Sequence, residues 1–214
     1  MYKTYTHELP FTDKSEWKWP AGDKKLVQVF GHVSDIDVVM RHVDDTKTCI
    51  QAGGACGVWP FRLAQLFETV YTFEPMAENF ACLTANTDEL ENVIAYNAPL
   101  ANDHKAYRVQ NDYSERENWG AGYIVLDPKG TEAMRIDELD LDDCGLIQLD
   151  VEGYELQALM GAESTIYRYK PVIVLEEKRL NHMGGDPARA RKWLESEFGY
   201  AQIDAIHRDV ILKC

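Results

Sequence analysis

The residues of this 214-residue chain that could do chemistry fall into two sets: a glycine loop with an acid beyond it, and three carboxylates at or just beyond the ends of later β-prone runs. The loop is Gln51-Ala52-Gly53-Gly54-Ala55-Cys56-Gly57, entered from the apolar run Cys49-Ile50 and followed at once by a helical pattern. Glycine tolerates backbone angles and close approaches that a Cβ would block, which a chain turning over a ligand requires. A helix that begins there turns its unpaired N–H groups and the positive end of its dipole toward the same spot. Glu74 ends the next β-prone run, Val70-Tyr71-Thr72-Phe73, 17 positions after Gly57, and Pro75 follows it. In a βαβ unit an acid so placed accepts both hydroxyls of a ribose, so the two motifs together predict a nucleoside-containing cofactor.

The second set is Asp150, at the end of Leu146-Ile147-Gln148-Leu149, then Glu152, and Glu176 at the end of Pro171-Val172-Ile173-Val174-Leu175. Open α/β sheets hold ligands beyond the carboxyl ends of their strands, where such groups can act as general bases. His182, in the loop Asn181-His182-Met183-Gly184-Gly185, is a further candidate. Three carboxylates could also hold a divalent cation, but oxygen ligands alone are common on surfaces, and no metal is expected.

The elements that must position these groups follow from pattern. Two β-prone runs around a helical stretch, then a helix from Pro75 with Phe80 and Leu83 and a third strand at Asn92-Val93-Ile94-Ala95-Tyr96, predict a parallel sheet with right-handed crossovers. The helix after the glycine loop is expected over Trp59 to Phe67, with Pro60 tolerated in its first turn. Further helices are expected from Gly153, with Leu156, Leu159, Met160 and Ile166 on one face, and over roughly 187 to 198. Tyr200-Ala201-Gln202-Ile203-Asp204 and Val210-Ile211-Leu212, separated by a short polar loop, predict an antiparallel hairpin at the sheet edge. The passage 101–135, with Asp112, Ser114, Trp119-Gly120-Ala121-Gly122 and one β-prone run, Tyr123-Ile124-Val125-Leu126, is an excursion from the sheet that either faces a ligand or forms a surface hairpin. Residues 1–24 read as an irregular arm anchored by Trp17 and Trp19. Leu26-Val27-Gln28-Val29-Phe30 reads as a short strand, and Ser34 caps a helix carrying Ile36, Val39, Met40 and Val43. The expected division is therefore 1–46, an N-terminal arm and leading helix packed on the core, and 47–214, the ligand-binding domain.

Bulk properties narrow the partners. With 22 Lys and Arg against 36 Asp and Glu the formal charge is −14, which repels polyanions and argues against a nucleic-acid partner. No apolar run approaches a bilayer span, and Met1-Tyr2-Lys3-Thr4-Tyr5 lacks the apolar core of a signal peptide, so no membrane partner and a cytoplasmic location are expected. Five cysteines without paired spacing read as reduced thiols; Cys56, in the glycine loop, reads as a small packing residue rather than a reactive one.

Ordered and spaced as they are, five stretches make the chain resemble the FkbM family of S-adenosylmethionine-dependent methyltransferases. They are Gln51 through Gly57, Phe73-Glu74-Pro75 with Asn79-Phe80, Ile136-Asp137-Glu138-Leu139, Asp150-Val151-Glu152-Gly153-Tyr154-Glu155, and Pro171 through Glu176, covering 47–180. The resemblance implies a Rossmann-like class I methyltransferase fold, a mostly parallel seven-stranded sheet with a C-terminal antiparallel hairpin. It implies S-adenosyl-L-methionine as cofactor and O-methylation of a small-molecule or saccharide hydroxyl. By that resemblance Gln51, Ala52, Gly53, Gly54 and Gly57 border the methionine part, Glu74 with Pro75 holds the ribose, Asn97 and Ala98 border the adenine, Asp150 lies at the cofactor, and Asp150 or Glu152 serves as base. The chain departs from the family pattern at Gln51 and Ala55, where Asp and Asn are usual; Gln can offer the cofactor's ammonium only a neutral hydrogen bond. A non-catalytic S-adenosylmethionine-binding module and an NAD-dependent oxidoreductase remain the alternatives, although the glycines run Gly-Gly-x-x-Gly rather than in the dinucleotide pattern. Oligomeric state is not legible.

Overall fold

The computed structural model of the chain describes residues 2–24, 26–111, 122–177 and 186–214. His182 and most of the glycine-rich passage, Asp112 through Ala121, lie outside the described residues. The elements run β1 (Tyr2–Thr6), β2 (Glu16–Pro20), α1 (Leu26–His32), α2 (Ile36–Val39), β3 (Thr48–Ala52), α3 (Val58–Leu63), β4 (Thr69–Phe73), α4 (Ala77–Thr87), β5 (Val93–Tyr96), β6 (Ala106–Asn111), β7 (Gly122–Leu126) and β8 (Thr131–Glu132). They continue with β9 (Leu146–Leu149), α5 (Glu155–Met160), α6 (Glu163–Tyr169), β10 (Val172–Glu176), α7 (Arg189–Phe198), β11 (Ala201–Ile206) and β12 (Asp209–Lys213).

Seven strands form one sheet in the order β11-β12-β10-β9-β3-β4-β5. Every pairing from β10 to β5 is parallel, and β12 runs antiparallel to both β10 and β11. The fold class and the terminal hairpin thus match the expectation. The strand order reverses between β3 and β9, which opens a crevice beyond their C-terminal ends, where ligands bind in sheets of this kind.

Alternation along β3 divides the core. Cys49 packs with Trp17, Phe30, Ile36 and Phe61 on one face, while Ile50 and Ala52 pack with Ala158, Leu159, Ile166 and Leu194 on the other. Both faces of a parallel sheet are covered, so β9 and β10 are buried almost throughout, β10 as its continuous apolar run requires and β9 with Gln148 buried among apolar neighbours.

Three local expectations are corrected. Leu26 to Phe30 is helical, not a strand: Phe30, Val33, Ile36 and Val39 recur at intervals of three and bury together, a period that a five-residue window cannot display. Ser34 caps nothing; Val33–Asp35 forms a 3₁₀ turn that runs into the single turn of α2, and no side chain caps either. The arm is not irregular, because β1 and β2 pair antiparallel from Tyr2 opposite Pro20 to Thr6 opposite Glu16, with Trp17 and Trp19 alternating inward. Trp17 is fully buried, meets Phe30 and Phe61 edge-on at 5.5 and 5.3 Å, and donates its indole N–H to the His7 carbonyl at 3.1 Å.

The free edge of β2 is satisfied by a side chain. The Asn86 amide, buried in α4, accepts from the Lys18 N–H at 2.7 Å and donates to the Lys18 carbonyl at 2.8 Å and to the Cys56 carbonyl at 2.7 Å. The excursion contains more structure than the one predicted strand: β6 lies between β7 and β8 in a small antiparallel sheet. Its long-range pairing to β8, only two residues long, leaves no period to read.

Candidate active site

A cavity of about 310 Å³ opens over the C-terminal ends of β3, β4 and β9. Of the residues singled out in the sequence, Gln51, Ala52, Gly53, Gly54, Glu74, Pro75, Ala98, Asp150 and Glu152 line it, whereas Gly57, Asn97 and Glu176 are not among its lining residues. Val109, Gly122 and Ile124 of the small sheet also line it, so the excursion faces the cavity and is not a remote surface hairpin.

The glycines act first on the protein itself. Gly53 lies at φ +83°, and a Cβ there would sit 1.9 Å from the Asp150 carbonyl oxygen, so the β3 turn and the β9 loop touch backbone to backbone. Gly57 lies at φ +86°, where a Cβ would press on the α4 backbone at Leu83, 3.1 Å away. That position lets α3 approach α4 and does not face the cavity. Between them Ala55 is held at φ +44°, a left-handed conformation that costs an ordinary L-residue about 1–2 kcal/mol. Cys56 is buried, and that burial first, then the neighbouring Cys82, pushes its thiol well above the usual cysteine range; it is packing material.

Glu74 is buried at the floor of the cavity. One carboxylate oxygen accepts the Ala55 N–H and the other the Met76 N–H, each at 2.8 Å, and Asn97 donates to the Glu74 carbonyl at 2.8 Å. Asn97 therefore orients Glu74. Burial raises the Glu74 carboxyl to about 7, against the pull of those backbone donors and of Asn79. Phe73 stacks on Tyr96 at 5.1 Å beside it.

A polar row crosses β9, β3 and β4 on the same face: Gln148 is in register with Gln51, and Gln51 with Thr72. Thr72 donates to the Gln51 side-chain oxygen at 2.6 Å. The Gln148 side-chain oxygen, buried and at the cavity wall, has no hydrogen-bond partner among the described residues. Sequence reasoning missed Gln148 because a single Gln in an apolar strand is no motif; its register with Gln51 exposes it.

Beyond β9 the chain does not pass straight into a helix. Glu152 at φ +51° and Gly153 at φ +100° turn it sharply, and α5 starts only at Glu155. Buried Glu155 clamps this turn by accepting the Val151 and Gly153 N–H groups at 3.3 and 3.1 Å, while Arg189 of α7 donates to the Gly153 carbonyl. Burial raises the Glu155 carboxyl despite these donors. Asp150 is consequently not a helix cap; it is exposed, Glu152 is buried, and one carboxylate oxygen from each of Asp150, Glu152 and Glu176 lies within 4.8 Å of the others.

Across the mouth stand residues the sequence did not flag. His32, Asp35, His207 and Asp209 line the cavity, His207 at φ +56° in the β11–β12 turn. Burial, with Asp35 adding to it and His207 and His32 opposing, raises the Asp209 carboxyl to about 6. Among the described residues no helix is long and apolar enough to cross a membrane.

No curated protein is significantly similar to the chain. Several solved structures share its fold at low identity. A methyltransferase FkbM from Methylobacillus flagellatus KT is 17% identical with a TM-score of 0.53, over 89% of this chain and 55% of its own length, so the chain spans about half of that protein. SMU.1697c of Streptococcus mutans, solved with SAH, is 10% identical with a TM-score of 0.51 over 89% of this chain and 98% of that one. Precorrin-6y C5,15-methyltransferase from Geobacter metallireducens GS-15 is 15% identical with a TM-score of 0.50, over 83% of each chain. The family model for the methyltransferase FkbM domain matches residues 60–201, beginning just after the glycine loop and its two unusual residues. That match extends over well more than half of the sequence, and the chain belongs to the FkbM methyltransferase family.

Proposed function

We propose that this protein is an S-adenosylmethionine-dependent methyltransferase that methylates a hydroxyl of a small molecule or saccharide. The observation that carries the reading is one cavity at the switch point lined at once by Gly53, Gly54 and a buried Glu74. The donor set suits the cofactor. Glu74 has both carboxylate oxygens held by the Ala55 and Met76 N–H groups, with Asn79 also bonded to the side chain, and the acceptor capacity that remains is what the ribose diol would use. The orphaned Gln148 oxygen beside Gln51 offers the ammonium group a neutral acceptor where the family usually has a carboxylate. Ala52, Pro75 and Ala98 supply apolar walls.

When bound, S-adenosylmethionine supplies an electrophilic methyl group on a sulfonium. The chain's own work is to align the acceptor oxygen, exclude water and take a proton. Asp150 is the base we assign, because it is exposed at the cavity wall and its backbone abuts the Gly53 turn. Glu152, buried next to it, orients the hydroxyl. A net charge of −14 disfavours a polyanionic acceptor, which supports a small hydroxylated one over a nucleic acid.

Calorimetry with S-adenosylmethionine, S-adenosylhomocysteine and NAD tests the cofactor, and release of S-adenosylhomocysteine over a panel of sugars, small alcohols and RNA tests the acceptor. Binding of the first two with turnover of a sugar or small alcohol supports the reading. Preference for NAD, binding without turnover of any acceptor, or turnover of RNA alone would overturn it.

A further inference from the structure

The cavity mouth holds a group of metal-type ligands that neither the family relationship nor the proposed base requires. His32 ends α1 and Asp35 closes the following 3₁₀ turn, a spacing of three that sets both side chains on one side. His207, remote in sequence, is brought opposite them by the β11–β12 hairpin, whose β12 is anchored on the sheet by β10. Asp35 Oδ2 lies 3.5 Å from His32 Nδ1 and 3.6 Å from His207 Nε2, and one donor atom of each residue falls within 4.8 Å of the other two.

Those separations exceed the about 2.7–3.2 Å of an N–H···O hydrogen bond. They do match the edge of a tetrahedron: donors about 2.0–2.1 Å from one ion stand about 3.4 Å apart. The two imidazole rings meet edge-on at 5.1 Å and do not stack, which leaves room between their nitrogens and the carboxylate. Both rings are more than half exposed, so an ion can reach them from solvent, while the Asp35 side chain is mostly buried. Asp209, two residues from His207 and on the same cavity wall, adds a second carboxylate to the neighbourhood.

We infer that His32, Asp35 and His207 form a site for a divalent transition metal, zinc by preference, with a remaining coordination position turned to the cavity. Two imidazoles and one carboxylate are the borderline donor set that zinc favours, and three protein ligands leave a fourth position for water or a substrate oxygen. The ligand for that position, resting on the methyltransferase reading, is the hydroxyl oxygen of the acceptor. The site differs in place and chemistry from Asp150, Glu152 and Glu176, whose all-oxygen set suits magnesium or calcium.

The test uses the full chain freed of metal by a chelator, titrated with zinc against a colorimetric chelator and with cobalt by visible absorption. One equivalent is expected, with a cobalt spectrum of low coordination number. His32→Ala and His207→Ala, both at exposed positions, should each weaken binding by at least about tenfold, while Glu176→Gln leaves it unchanged. Absence of saturable binding, equal zinc affinity in the His32→Ala/His207→Ala double variant, or loss on Glu176→Gln instead would overturn the site. Affinity for S-adenosylmethionine, measured separately on the zinc-free protein, reports on the methyltransferase reading alone, so the two can fail independently.

Discussion

The loops after β3 and after β9 solve the same problem with different parts. Each bends through a non-glycine residue in the left-handed region, Ala55 at φ +44° and Glu152 at φ +51°, and each is clamped by a buried glutamate whose carboxyl burial holds above its usual range. In the first, the clamp comes from the neighbouring strand, and Glu74 both fixes the loop and faces the cavity. In the second, the clamp belongs to the loop's own helix: Glu155 fixes the turn, and separate residues, Asp150 and Glu152, meet the cavity. Where one side chain serves both roles, fold and ligand cannot be altered independently. Where the roles are divided, a cavity-facing residue outside the bend, Asp150, can change while the turn persists, which suits binding a constant cofactor at one end and a variable acceptor at the other.

The largest effect that would separate the loops is in turnover. Asp150→Asn should lower the rate of S-adenosylhomocysteine release by about 10²–10⁴-fold, the usual worth of a general base, with cofactor affinity within a few-fold. Full turnover would remove the division of roles. Glu74→Ala should do the reverse in kind, weakening cofactor binding by about 100-fold, since two charge-assisted hydrogen bonds are lost at about 1.5 kcal/mol each. Unchanged affinity by calorimetry would detach Glu74 from the ligand.

The pH dependence sharpens the same point. The folded chain holds the Glu74 proton more tightly than the unfolded chain, where the carboxyl has its ordinary value near 4.5. Its contribution to stability is therefore greatest below about pH 4.5 and falls as pH rises toward about 7, the folded state binding more protons across that window. Denaturant melts of the wild type and of Glu74→Gln should diverge there, with the wild type losing stability relative to the variant as pH rises. Parallel curves would show that the carboxyl is not held protonated. Glu155→Gln should cost about 1–2 kcal/mol of stability and slow turnover while sparing cofactor affinity, because it loosens only the β9 turn. The smallest effect belongs to Ala55→Asn, which places a residue tolerant of the left-handed region there and should stabilise the chain by under about 1 kcal/mol in the same melts.

Legibility in the sequence followed the range of the interaction. The order of the seven sheet strands from Thr48 to Lys213 could be read because they are short, largely apolar runs, whereas β6, β8 and the break that separates α5 from α6 show no signal of their own. Gly53 and Glu74 could be placed at one cavity because the βαβ unit that joins them is local. For Gly57 the packing of α3 on α4 already accounts for the glycine, and a glycine required by helix packing and one required by a ligand look alike in sequence. For Asn97 the neighbourhood was legible, but the partner of its amide, the Glu74 carbonyl, was not. The β1–β2 pairing, the register of Gln148 with Gln51, and the meeting of His32 with His207 all depend on contacts between distant segments, and no local pattern encodes them.

The buried amide of Asn86 has a mechanical consequence. Because one side chain holds both the Lys18 backbone and the Cys56 carbonyl, the arm and the glycine loop share a rivet, and neither can shift by more than a hydrogen bond's slack without the other. A ligand that seats against Gly54 would thus be felt at β2, and slowed amide exchange at Lys18 would announce it.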